Sequence, residues 1–97
     1  MHAVIRKYAA SPDVLAEARP KLDQLKQTMQ QTPGFVAYYF LETGDGVATI
    51  TVTEDETGTT ESMGRAATWA KENLPTSGKN LSAPEVTTGQ VHMSANR

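Results

Sequence analysis

The chain has 97 residues, 21% of them charged, a formal net charge of −2 and no cysteine. That length supports one small core and one domain. The balanced, slightly acidic charge offers no basic field for a phosphate backbone, which argues against nucleic acid. Without cysteine there are no disulfides, thiolate metal sites or thiol nucleophiles.

The opening Met1-His2-Ala3-Val4-Ile5-Arg6-Lys7-Tyr8 lacks the apolar stretch of a secretory signal, and no segment approaches the roughly 20 apolar residues of a membrane span, so a soluble cytoplasmic protein is expected. His2 to Tyr8 alternates weakly and reads as a first strand. Ser11-Pro12-Asp13 then starts a helix, with Ser11 able to cap it and Pro12 suited to its first position. Leu15, Ala18, Leu22, Leu25 and Met29 recur at spacings of three and four, an apolar stripe running to about Gln31. Pro20 interrupts the stripe, which predicts a kink or two abutting segments near Ala18 to Pro20. Pro33-Gly34 ends the helix.

Phe35 to Leu41 and Val47 to Val52 flank Thr43-Gly44-Asp45-Gly46, the signature of a β-hairpin. A turn centred on Gly44 and Asp45 sets Tyr39 with Ile50 and Ala37 with Val52 on one face, and Tyr38 with Thr51 and Phe40 with Thr49 on the other. The first set reads as the core beneath the helices, and the second as a surface for a partner sheet or a pocket. Both faces of the first hairpin strand are apolar, so two helices on one face leave the other to a second copy of the chain. A second helix is expected from about Thr57–Thr60, with Asp55, Glu56 and Glu61 near its N-terminus, to just before Pro75. Met63, Ala66, Ala67, Ala70 and Leu74 form its stripe and Trp69 its flank. Pro75 to Pro84 reads as a loop, Glu85 to Met93 as a last strand and 94–97 as a tail.

The order βαββαβ, with right-handed crossovers, predicts an α+β ferredoxin-like domain over residues 1–93: an antiparallel sheet of order 4-1-3-2 with two helices on one face. Pro33-Gly34-Phe35-Val36, the Thr43 to Gly46 turn, and Glu61-Ser62, Ala66-Ala67, Trp69 and Glu72-Asn73 on the second helix resemble the dimeric α/β-barrel superfamily, in particular stand-alone domains of the antibiotic biosynthesis monooxygenase group. The resemblance covers nearly the whole chain and implies two ferredoxin-like sheets packed face to face as a homodimer. It also implies a pocket between helices and sheet, for an electron-rich phenolic substrate in the monooxygenases, and no cofactor. Haem degradation in this group is expected to use a histidine on the second helix, and Gly58 to Leu74 contains none.

The candidate ligand-binding residues are Trp69, Tyr38, Tyr39, Arg6 and His92. Trp69 is either a wall for a flat ligand or a boundary ring packing on the sheet. Tyr38 and Tyr39 point to opposite faces, so at most one lines a given pocket. Arg6 either presents its guanidinium to a carboxylate or phenolate, or pairs with an acidic neighbour, the reading that base chemistry favours. His2 and His92 approach if the first and last strands pair, but without a carboxylate or cysteine at matching spacing no metal site is expected. Gly44-Asp45-Gly46 opens no helix and is a turn, not a phosphate loop. Val47 to Val52 has no aromatic ring, which removes the stacking platform of an RNA-recognition module of the same strand order. The resulting expectation is a homodimeric module that binds a small ligand or acts without catalysis. The alternative is a cofactor-independent monooxygenase acting on an aromatic metabolite.

Overall fold

Strands β1 (His2–Ala9), β2 (Phe35–Thr43), β3 (Gly46–Thr53) and β4 (Glu85–Gln90) form one antiparallel sheet in the computed structural model, which describes residues 1–9, 12–76 and 83–97. Their spatial order is β2-β3-β1-β4, the expected 4-1-3-2 seen from the other edge. The Ser11 cap and most of the loop expected before β4 lie outside the described residues.

Pro20 acts as its chemistry requires. Helix α1 (Pro12–Ala18) stops before it, a 3-10 turn spans Arg19–Lys21, and α2 (Leu22–Gln30) follows. A residue without an N–H is accommodated at the start of such a turn. The tighter turn also shifts the phase between the two segments. Val14 with Ala18, and Leu25 with Met29, form the buried row, while Leu15 is only half-buried. Gly34, at φ 69°, supplies the left-handed residue that redirects the chain into β2.

Helix α3 (Glu56–Asn73) begins where the Asp55 carboxylate accepts a hydrogen bond from Gly58 N at 3.0 Å, a residue or so earlier than the charge pattern suggested. A Cβ on Gly58 would lie 2.5 Å from the Pro33 carbonyl oxygen and 2.7 Å from Thr53 Cβ. The helix start is therefore pressed against the chain entering β2 and leaving β3. The buried row of α3 is Thr59, Ser62, Trp69 and, just past its end, Leu74, with Ala66 and Ala70 partly covered and Ala67 exposed. Two polar residues occupy this row because their hydroxyls are satisfied locally. Thr59 donates to Glu56 O and Ser62 to Thr59 O. Trp69 is consequently a core residue, 6% exposed, rather than a flank.

The hairpin register is as expected: Tyr39↔Ile50, Ala37↔Val52, Tyr38↔Thr51 and Phe40↔Thr49, across a two-residue turn at Gly44 and Asp45. The assignment of faces is reversed. Tyr38 and Phe40 pack on the cluster of Val14, Ala18, Leu25, Met29 and Trp69 beneath the helices, while Tyr39 and Leu41 are on the uncovered face, 51% and 43% exposed. The cause is a register shift between Phe35 and Ala37 that makes Val36 an extra residue. Without it, strict alternation would place Phe35 with Ala37 and Tyr39. With it, Phe35 turns inward beside Tyr38 and Phe40, and three rings on one side outweigh one tyrosine and a leucine on the other.

β4 ends at Gln90 rather than Met93, followed only by a bond from Val91 N to Met1 O at 2.9 Å. All six of its residues are exposed, so no packing prolongs the strand.

Candidate functional site

Along β1 the side chains of Val4, Arg6 and Tyr8 alternate toward the helices, and Val4 and Arg6 are 0% and 2% exposed. Period-two geometry thus carries an arginine into the core between two hydrophobic layers. Its Cα partner on β3 is Thr49, which faces the same way. Arg6 Nε and Nη2 are buried, and among the described residues they meet no acceptor and no carboxylate pairs with the guanidinium. An unpaired buried cation costs on the order of several kcal/mol, so the acidic neighbour suggested by the sequence is absent where it would matter most.

Tyr38 lies across the sheet from Arg6. Burial pushes its phenol up to about 12, and Tyr8 adds to the rise. The Arg6 charge and the nearby Thr49 hydroxyl offset only part of this. The Thr49 influence is one of proximity, since Thr49 Oγ1 reaches no partner in hydrogen-bonding geometry. Tyr38 is therefore a neutral phenol at physiological pH. From above, α3 contributes Trp69, whose buried Nε1–H is also without an acceptor.

These groups surround one cavity of about 50 Å³, walled by Arg6, Tyr8, Tyr38, Thr49 and Trp69, with Leu25 among its apolar lining. A space of that size holds a small polar group or a few waters, well short of the roughly 300 Å³ of an ordinary ligand pocket. A groove of about 380 Å³ adjoins it between α2 and β2, lined by Leu22, Leu25, Lys26, Phe35, Tyr38 and Phe40. Leu25, Tyr38 and Phe40 belong to both walls. A larger hollow of about 840 Å³ lies outside, between α2 and α3. It is walled mainly by polar side chains, most of them exposed, and there Glu61 and the half-buried Arg65 form an ion pair at 3.7 Å. Arg65 thus has its counter-charge, whereas Arg6 does not, so the inner cavity carries the chemical interest.

Of the residues singled out in the sequence, Arg6, Tyr38 and Trp69 come together here. Tyr39 faces away from the cavity, although from the edge strand it also lines the groove between α2 and β2, and His92 is exposed beyond the end of β4. His2 bonds to Thr59 rather than to His92: Thr59 Oγ1 gives its proton to Glu56 O, so His2 Nδ1 donates to it at 2.6 Å. Among the described residues no group of three histidine, aspartate or glutamate side chains could hold a metal ion, and no helix is long and apolar enough to cross a membrane. Tyr8 and Thr49 complete the cavity without having been singled out. Their signal was parity alone, two positions from Arg6 on β1 and directly opposite it on β3.

No protein-family model matches the sequence, and no curated protein matches it either. Solved structures do share the fold. The protein of unknown function NE2512 from Nitrosomonas europaea superposes with a TM-score of 0.74 at 17% identity, over 99% of this chain and 93% of its own. A variant of MhuD with two manganese protoporphyrin IX molecules per active site gives 0.73 at 14% identity, over all of both chains (100% and 100%). The cofactor-independent oxygenase SnoaB from Streptomyces nogalater gives 0.65 at 17% identity, over 99% and 97%. The residues here do not fit a porphyrin: α3 has neither histidine nor cysteine, and the space beside Trp69 is about 50 Å³.

Proposed function

Given a chain with the fold of the antibiotic biosynthesis monooxygenase-like proteins of the dimeric α/β barrel, we propose that it works as a homodimer binding a small anionic, aromatic or apolar molecule at Arg6. One observation carries this reading: a guanidinium 2% exposed, with two donors unpaired, facing a cavity. Natural cores exclude such a charge unless something compensates it, and an anionic ligand would do so. Trp69 Nε1 and the Thr49 hydroxyl supply further polar contacts, and the neutral Tyr38 adds no negative charge against the ligand. The second copy would seat on the uncovered sheet face, where Ile5, Tyr39 and Leu41 leave apolar surface in water.

The test is Arg6→Met, followed by thermal unfolding with and without small aromatic anions. Removing an uncompensated buried charge is expected to stabilise the free protein by about 1–4 kcal/mol, while ligand no longer raises its melting temperature. A variant less stable than the parent would mean that the guanidinium already has its counter-charge within the protein, and the reading would fail.

A second reading, cofactor-independent oxygenation, has a specific support: the unpaired donors of Arg6 and Trp69 line one cavity, as an oxyanion requires. In that chemistry a phenol-bearing CH₂ centre loses a proton and the resulting carbanion, its charge held as an oxyanion at Arg6, reduces O₂. The CH₂ becomes C=O and one water leaves, so one O₂ is consumed per quinone formed. Oxygen uptake with a reduced anthrone should show that ratio and disappear in Arg6→Met. Uptake equal to the protein-free rate would remove this reading and leave ligand binding in place.

A further inference from the structure

The two unpaired nitrogens of Arg6 are Nε and Nη2. They lie on one side of the planar guanidinium with parallel N–H bonds, the fork that donates to both oxygens of a single carboxylate. A phenolate or halide presents one acceptor atom, which meets both parallel donors only through bent, weaker bonds. The fork therefore selects among anions.

Size adds a second constraint. The cavity of about 50 Å³ takes the carboxylate but not a ring or chain attached to it, whereas the adjoining groove of about 380 Å³ is lined chiefly by Leu22, Leu25, Phe35, Tyr38 and Phe40. Among the described residues Lys26 is the only charged side chain lining the groove, and it is exposed. Resting on the anion-binding reading above, we propose that the ligand is a monocarboxylic acid with a flat or extended apolar body. Its carboxylate seats side-on against Arg6 Nε and Nη2, with the Thr49 hydroxyl beside it. Its body passes Tyr38 and Phe40 into the groove between α2 and β2.

Calorimetric titration of the full chain with para-nitrobenzoate, para-nitrophenolate and para-nitrobenzamide at about pH 8 separates the possibilities, since the three differ mainly in the group offered to Arg6. The lone tryptophan gives an independent fluorescence readout. The benzoate is expected to bind about tenfold or more tightly than the other two. Arg6→Lys, which keeps the charge and loses the fork, should weaken the benzoate by a similar factor, and Arg6→Met should abolish its advantage. Octanoate should bind about a hundredfold or more tightly than acetate if the body fills the groove. Phenolate binding as tight as benzoate, or a benzoate affinity unchanged in Arg6→Lys, would overturn the carboxylate assignment and leave the anion cavity standing. Equal affinities for octanoate and acetate would overturn the groove. No binding by any of these probes would overturn both the inference and the reading beneath it.

Discussion

Trp69→Ala is expected to remove about 3–5 kcal/mol of unfolding free energy, a large part of the roughly 5–15 kcal/mol that holds a domain of this size together. The indole is 6% exposed and sits among Val14, Ala18, Leu25, Met29 and Leu74, residues drawn from α1, α2 and the end of α3. Truncation would leave a void next to an existing cavity, where the surroundings have least material with which to collapse. Trp69→Phe separates ring volume from the indole N–H. Because Nε1 has no acceptor among the described residues, no hydrogen bond to them is lost, and the cost should stay below about 1.5 kcal/mol. Urea unfolding followed by far-ultraviolet circular dichroism measures both, without relying on the fluorescence that the substitutions delete. An alanine variant within about 1 kcal/mol of the parent would show that the ring does not hold the two layers together.

The second large effect concerns association. Tyr39→Asp places a carboxylate on the uncovered face, midway along the edge strand β2, between Ala37 and Leu41 and opposite Ile50 on β3. In the proposed dimer that charge would be buried without a partner, at a cost of about 2–5 kcal/mol, so the dissociation constant should rise about a hundredfold or more. The fold itself should be little affected, because Tyr39 is 51% exposed in the single chain. Sedimentation at micromolar concentration should find a dimer in the parent and a single chain in the variant. A parent protein that sediments as a stable single chain would remove the dimer. The same substitution at Tyr38 would test something else, since that ring is packed beneath the helices.

Much of the architecture was legible because it depends on local chemistry. The Pro20 break, the Gly44-Asp45 turn and the pairing of Tyr39 with Ile50 follow from residues close in sequence, and each stands as read. The faces were not legible, because one extra residue at Val36 changes the parity of Phe35 relative to everything after it, and alternation cannot be counted through an insertion that the sequence does not mark. The site was half legible. Arg6, Tyr38 and Trp69 were recognisable by type, but an arginine on a strand is usually a surface residue with an acidic neighbour. Only the register against Thr49 and the helices above show that this one is enclosed, with no carboxylate partner among the described residues. His92 and Tyr39 were chosen for the same chemical versatility, and topology keeps both out of the cavity, leaving Tyr39 only at the margin of the groove.

The doubled-up residue in β2 also makes the entry to that strand tolerant of a change in length. With Val36 present, three aromatic rings are spent on the interior, and the outer surface keeps only moderate greasiness. Deleting that single residue would leave Phe35 directly before Ala37 and still opposite Thr53, so the ring would keep facing inward while the ladder became regular. The interior can thus survive the loss of one residue here without being repacked, a path that inspection of amino-acid replacements alone would miss.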